Sequence, residues 1–143
     1  PWGLLILVGA GMCLGTAFTE SGLSTALVGV LTGLDKVHPA YLILSVALLV
    51  TFLTEMTSNT ATTNILMPIL GAVAMASLLD PKLLLLPATI SASCAFMLPV
   101  ATMPNAVVFG TGEVSIKRMA SEGLVLNLAG AMIVTFVCYI FLK

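Results

Sequence analysis

Charge is what this chain has least of. Of its 143 residues, 5 are basic and 6 acidic, 8% in all, against the roughly 25% with which a water-soluble domain coats its surface. An ordinary cytosolic domain is excluded on that ground alone. The net charge of −1 leaves no electrostatic footprint for nucleic acid or for an anionic lipid surface. Cysteine is scarce too: Cys13, Cys94 and Cys138 are odd in number, widely spaced and set in apolar runs. That pattern supports neither a disulfide framework nor a metal site with ligand spacing, and free thiols packing as small hydrophobes are expected. The one histidine, His38, abuts Pro39 and reads as a surface loop residue.

What the chain does have is long uncharged runs. Residues 1–19, 37–54, 56–79, 83–112 and 123–142 carry no Asp, Glu, Lys or Arg, and 59% of the chain is hydrophobic. A bilayer core about 30 Å thick takes roughly 20 apolar residues per helical crossing. The expected fold class is therefore an all-α polytopic membrane protein, with the lipid bilayer as its solvent. Several apolar blocks and no initiator Met argue against a signal peptide, and the chain reads as a fragment of something longer.

Four segments follow along the chain. Residues 1–34 form a first helix with a shorter apolar extension, carrying two small-xxx-small pairs, Gly11/Gly15 and Gly29/Gly33, a spacing that lets helices approach closely. Residues 35–80 open on the polar break Asp35-Lys36-Val37-His38-Pro39, with Pro at a helix start, and contain two apolar arms. Residues 81–113 are a span interrupted by prolines, and residues 114–143 are a loop and a last helix from about Gly123. Lys117-Arg118, the one adjacent basic pair, is assigned to that loop and to the cytoplasmic side, which puts the open ends of the two arms and Lys143 outside and Pro1 inside.

Between the arms of the second segment lie eleven residues, Thr54-Glu55-Met56-Thr57-Ser58-Asn59-Thr60-Ala61-Thr62-Thr63-Asn64, nine of them polar. Two readings compete. The arms could be full spans joined by a loop in water, yet surface loops usually carry Gly, Pro or Lys, and residues 40–67 hold no Gly, Pro, Lys or Arg. Short hydroxyl and amide side chains, moreover, satisfy their own backbone. Alternatively, the segment is a re-entrant helical hairpin whose tip stops inside the membrane. Arms of roughly 13–16 residues give about 20–24 Å of helix, short for a crossing and ample to reach the midplane. Glu55 is the acid embedded between the arms, and a structural role, hydrogen-bonded behind the tip, outweighs direct ion coupling because a charge at a helix centre costs roughly 2.5–3.5 kcal/mol.

The third segment contains Pro87, Pro99 and Pro104, and Leu98-Pro99-Val100-Ala101-Thr102-Met103-Pro104-Asn105 is not expected to continue as regular helix. Broken backbone survives in lipid only where protein or a hydrated cavity satisfies it. The expectation is a discontinuous transmembrane helix whose first half ends near Ala101 and whose second opens near Thr102 to Asn105. Ser58, Asn59 and Thr60 should cap the second hairpin arm, and Pro104 suits the first turn of the new half-helix. Two helix N-termini at one depth would hold an anion without Arg or Lys. Unpaired carbonyls at the opposite ends, with the Thr54 hydroxyl and Asn59 amide oxygen, make a hard oxygen set for a small cation such as Na⁺.

The run Thr54 to Thr62, followed some 40 residues later by Pro99-Val100-Ala101-Thr102-Met103-Pro104-Asn105-Ala106, resembles the divalent anion/sodium symporter family over essentially the whole chain. The resemblance implies half of an inverted-repeat elevator transporter, here the C-terminal part of the second repeat. The first repeat is missing, and the full-length protein would be a homodimer. It implies Na⁺-coupled uptake of di- or tricarboxylates such as succinate, malate, fumarate or citrate. Ser58, Asn59, Thr60, Thr102 and Pro104 would meet the substrate, while Thr54, Thr57, Asn59 and the Ala101 carbonyl would hold one Na⁺; no other cofactor is implied. The family commonly has two prolines before the Asn, and here the first is Met103.

Other classes fare worse. An enzyme would need a base to activate Ser58, and His38 is 20 residues away with no Lys in the hairpin. A channel would use Thr54 to Thr60 as a pore loop. Within the carriers, a Na⁺-independent dicarboxylate exchanger or a sulfate transporter of the same family is the alternative, and the oxygens of Thr54 and Asn59 favour sodium.

Overall fold

The computed structural model describes residues 2–23, 26 and 38–142. Among them the chain is helical, without a strand: α1 (Trp2–Glu20), α2 (Pro39–Thr54), α3 (Asn59–Ala76), α4 (Lys82–Ser91), α5 (Met103–Gly110) and α6 (Ile116–Leu142). The Gly29/Gly33 pair, the apolar run to Leu34, Asp35 to Val37 and Lys143 lie outside the described residues.

Helix α2 is the centre of the packing. It starts where Pro39 pre-sets the first turn and His38 caps it, with Nδ1 accepting from the Ala40 N–H at 3.3 Å. From there to Leu53 no Gly or Pro interrupts a run of Leu, Val, Ile and Ala, so the helix propagates. It buries two adjacent stripes. Leu42, Val46 and Val50 face Ala72, Val73 and Ala74 of α3, Leu84 and Ala88 of α4, and Ala92 just past its end. Ile43 and Ala47, one position further round, face Ala131, Val134 and Cys138 of α6. Helix α4 packs against both hairpin arms, so the arms splay around it and touch each other little.

His38 is therefore more than the loop residue expected of it. Besides capping α2, its Nε2 lies 3.4 Å from the Tyr139 hydroxyl near the end of α6, and the two rings stack at 5.4 Å. That contact fixes α6 antiparallel to α2. The C-terminal end of α6 thus lies beside the open end of the first arm.

Two boundaries differ from the sequence reading. The first half of the broken helix ends at Ser91, not near Ala101, so the unwound stretch covers 92–102. Pro99 accounts only for the downstream part; residues 92–98 are drawn out by partners far away in the chain, described below. Helix α6, in turn, starts at Ile116 and not at Gly123. The Ser115 hydroxyl accepts from the Arg118 N–H and its carbonyl from Met119, a cap that puts Lys117 and Arg118 in the first turn of the helix rather than in a loop. Of the three cysteines only Cys138 packs in a core; Cys13 is exposed and Cys94 half-buried.

Apolar side chains such as Phe136, Phe141, Ile133 and Val125 stand exposed along α6. Among the described residues α6, 27 residues long, is long and apolar enough to cross a membrane, while α2 and α4 are apolar but shorter. Glycine decides two close approaches. A Cβ on Gly11 would strike the carbonyl oxygen of Asn64, and one on Gly123 would lie 2.6 Å from Met97 Cα. Asn64 is the residue whose helical acceptor goes unused, because its partner four positions on, Pro68, has no N–H.

Helix α3 ends with Leu78 in the left-handed region at φ 56°, and the Leu79 N–H reaches back to the Ala74 carbonyl at 3.0 Å. A β-carbon there costs roughly 1–2 kcal/mol, and the side chain is exposed and packs on nothing. Leu78→Gly in the full-length protein is therefore expected to stabilise the fold by about 1 kcal/mol, read as a raised thermal midpoint in detergent; a lowered midpoint contradicts it.

Candidate functional site

The site is built where the chain is not helical. Helix α2 ends at Thr54, Glu55 caps it, and α3 begins at Asn59 under an N-cap from Ser58, whose Oγ accepts from the Ala61 N–H at 3.1 Å. The turn between the arms is thus four residues, Glu55 to Ser58. On the other side, Leu98-Pro99-Val100-Ala101 forms a tight turn with Pro at its second position, closed by the Ala101 N–H on the Leu98 carbonyl at 3.2 Å. Thr102 then caps α5, accepting from the Asn105 N–H at 3.4 Å, and Pro104 sits in the first turn.

Glu55 joins the two interruptions. Its side chain is buried, 3% exposed, and its carboxylate accepts three consecutive main-chain N–H groups of the unwound stretch. Phe96 and Met97 donate to Oε1 at 2.7 and 2.9 Å, and Leu98 donates to Oε2 at 2.9 Å. The Asn127 amide of α6 adds a fourth donor to Oε1 at 2.7 Å. A helix broken in an apolar interior strands N–H groups at about 1–3 kcal/mol each, and here one carboxylate takes three of them with charge-assisted bonds. The structural role expected of Glu55 is what the geometry gives. Among the described residues no cation pairs with it; its partners are dipoles.

Asn105 serves the opposite groups. Its Nδ2 donates to the Ala95 carbonyl at 2.9 Å and the Leu98 carbonyl at 3.0 Å. Between them Glu55 and Asn105 satisfy donors and acceptors of the same stretch, which is why it can stay unwound.

The oxygens expected to suit a cation cluster at Thr54. Its hydroxyl lies 2.7 Å from Asn59 Oδ1 and 3.0 Å from the Ala92 carbonyl, so three oxygens share one proton. Lone pairs are left over for a hard cation. The main-chain oxygen that Thr54 reaches is Ala92's, not Ala101's; Ala101 is buried at the tight turn, where its N–H donates to the Leu98 carbonyl. Thr57, exposed, bonds the Leu53 carbonyl and the Thr62 hydroxyl. Behind this cluster the Thr51 and Ser91 hydroxyls are enclosed without a partner.

Of the residues expected to meet a substrate, Ser58, Thr60 and Pro104 are exposed, and Asn59 and Thr102 half-buried. The structure brings the hairpin tip to the unwound stretch through Thr54 and Glu55, and Asn59 joins through Thr54. The helix starts at Asn59 and Met103 leave N–H groups without helical partners. No cluster of His, Cys, Asp and Glu able to hold a metal ion occurs among the described residues. Sequence reasoning missed Asn127 and Ala92. Asn127 had a signal, being the one amide in the last uncharged run, where a polar side chain in an apolar helix needs a reason. Ala92 had none, since it contributes only a carbonyl.

An all-helical chain with 8% charged residues and long uncharged runs belongs to the class of helical membrane proteins. Comparison with known proteins gives the family. The model described as "Sodium:sulfate symporter transmembrane region" matches residues 1–143, and the chain belongs to that family, the divalent anion/sodium symporters. Among its relatives is a sodium-dependent dicarboxylate transporter, SdcS, of Staphylococcus saprophyticus, 47% identical over 139 residues. SdcS of Staphylococcus aureus strain USA300 is also 47% identical, and that of strain MRSA252 46%. Each match covers 97% of this chain and 27% of the relative, so the chain spans about a quarter of the length of those transporters. It is an integral membrane protein.

Glu55→Ala in the full-length protein strands the Met97 and Leu98 N–H groups and leaves Phe96 only the Asn127 amide oxygen at 3.2 Å. The expected cost is about 3 kcal/mol or more, seen as a lowered thermal midpoint in detergent or as failure to accumulate in the membrane; wild-type stability contradicts the role assigned to Glu55.

Proposed function

We propose that this chain is the C-terminal part of the second inverted repeat of a secondary active transporter that couples Na⁺ to uptake of di- or tricarboxylates, such as succinate, malate, fumarate or citrate, across the cytoplasmic membrane. The full-length protein would be a homodimer working by an elevator motion, with the first repeat completing the site. Relatives named as sodium-dependent dicarboxylate transporters support the substrate class and the coupling ion. Sulfate is the second reading, favoured by the description of the family.

The observation that carries the reading is the depth of the hairpin tip. Glu55 bonds Asn127, which lies inside the uncharged stretch 123–142 of α6, five residues, about 7 Å, past Glu122 and fifteen residues, about 22 Å, from Leu142. With α6 as a membrane crossing, a tip at that height is inside the bilayer, which supports a re-entrant hairpin over a loop in water. Ser58, Asn59 and Thr60 at the start of α3, with Thr102 and Pro104 at the start of α5, would then offer two positive helix ends to a carboxylate. Thr54, Thr57, Asn59 and a main-chain carbonyl of the break, Ala101 by the family pattern, would take Na⁺ on the side of the helix C-termini. Anion and cation neutralise each other, which lets both enter a site without Arg or Lys.

Uptake of labelled succinate, citrate and sulfate into vesicles carrying the full-length protein, with and without Na⁺, tests this. Saturable Na⁺-dependent dicarboxylate uptake is expected, and Na⁺-independent exchange or large unsaturated currents would overturn it. Asn59→Ala should weaken both Na⁺ and substrate dependence, about tenfold each, because one side chain serves both. Thr60→Cys should react with hydrophilic thiol reagents from one side, and substrate should protect it; labelling indifferent to substrate contradicts the re-entrant tip.

A further inference from the structure

We propose that Asn127, with Gly123 one turn before it, is a positioning residue of the transport site: it locks the hairpin tip and the unwound stretch to α6, so that α6 sets the affinity of a site it does not touch. The inference rests on the transport reading above. It is carried by a closed ring of hydrogen bonds among three elements. Asn127 is wholly buried; its Nδ2 donates to Glu55 Oε1 at 2.7 Å, and its Oδ1 accepts from the Phe96 N–H at 3.2 Å. The Phe96 N–H reaches Glu55 Oε1 as well, at 2.7 Å, which closes the ring.

Both ends of the amide are used, and they cannot be exchanged. Turned over, the amide would aim its NH₂ at the Phe96 N–H and its oxygen at the carboxylate, two like-polarity contacts in an interior that screens them poorly. The ring therefore specifies one arrangement of tip and break. Gly123 supplies the second contact. It lets the α6 backbone press on Phe96 and Met97, where any Cβ would lie 2.6 Å from Met97 Cα and from the Phe96 carbonyl carbon.

What the ring fixes lies next to the ligand groups on both sides. Glu55 directly follows Thr54, whose hydroxyl joins Asn59 and Ala92. Leu98, the last residue held by the carboxylate, opens the turn that ends at Ala101, and Thr102 follows as the cap of α5. Without the amide, Phe96 keeps one of its two acceptors and Oε1 two of its three donors. The stretch then gains freedom at the point from which the Ala101–Thr102 backbone is aimed.

A residue that merely stabilised the fold would change how much transporter accumulates and leave half-saturation alone. A positioning residue shifts the half-saturation. In the full-length transporter, Asn127→Ala is expected to raise the Na⁺ half-saturation about tenfold, the usual scale for loss of an outer-shell partner. Asn127→Asp, which keeps the size and the acceptor but sets a second carboxylate against Glu55, should do worse than Ala. In a Glu55→Met background, which keeps the length of the side chain and removes both acceptor oxygens, Asn127→Ala should add less than twofold, because the ring is already open; independent multiplication of the two effects overturns the proposal. Should Asn127→Ala not accumulate, Asn127→Ser and Gly123→Ala carry the same comparison, and wild-type half-saturation in both overturns it. Amide hydrogen exchange over residues 94–102 of the purified full-length protein gives a readout free of transport. Protection should fall in Asn127→Ala, and unchanged protection sinks the inference. If the wild type shows no Na⁺-dependent dicarboxylate uptake, the transport reading fails by itself, and exchange alone decides whether Asn127 fixes the break.

Discussion

One carboxylate holds this structure's irregular part together. Three main-chain N–H groups in a row, at Phe96, Met97 and Leu98, have no helical acceptors, and Glu55 takes all three. In a lipid-facing helical protein such groups have no water to turn to. The energetics run in both directions. Glu55 alone in an apolar interior would cost several kcal/mol, and so would three stranded donors. Together each cancels the other's penalty, so neither element is stable in its observed form without the other. The hairpin tip and the unwound stretch are thus a single cooperative unit, although 41 to 43 residues separate them in sequence.

That coupling marks where the sequence could be read and where it could not. The ends of the hairpin arms were legible, since nine polar residues of eleven interrupt an apolar run and Ser58 precedes Asn59 as a cap. The start of α5 was legible for the same kind of reason: Thr102 and Pro104 are local signals, and capping and proline chemistry act within a turn. The upstream end of the break was not. Ser91 to Ala95 contain neither Gly nor Pro, and Ala92 and Ala95 favour helix, so nothing local ends the helix there; the choice of unwound chain is made by Glu55 and Asn105. The start of α6 was missed because the basic pair Lys117-Arg118 was read as a loop and the Ser115 cap just before it was not used. His38 was misjudged for want of its partner, Tyr139, 101 positions away.

The placing of Glu55, the one buried charge among the described residues, also bears on how a site of the proposed kind would serve two ions of opposite sign. A free carboxylate beside two helix N-termini would repel the anion those termini attract. Glu55 instead turns its oxygens to the backbone of the break, where four N–H donors draw its negative charge away from the mouth of the hairpin. Its residual field still falls on the neighbouring Thr54 oxygens, where on the proposed reading the cation belongs. On that reading the anion would meet chiefly N–H dipoles at Asn59, Thr60 and Met103, and the cation would meet oxygens backed by a formal charge. Selectivity between the two positions would then follow from which way one side chain points, and that direction is held from α6 by the Asn127 amide and by the close approach that Gly123 allows.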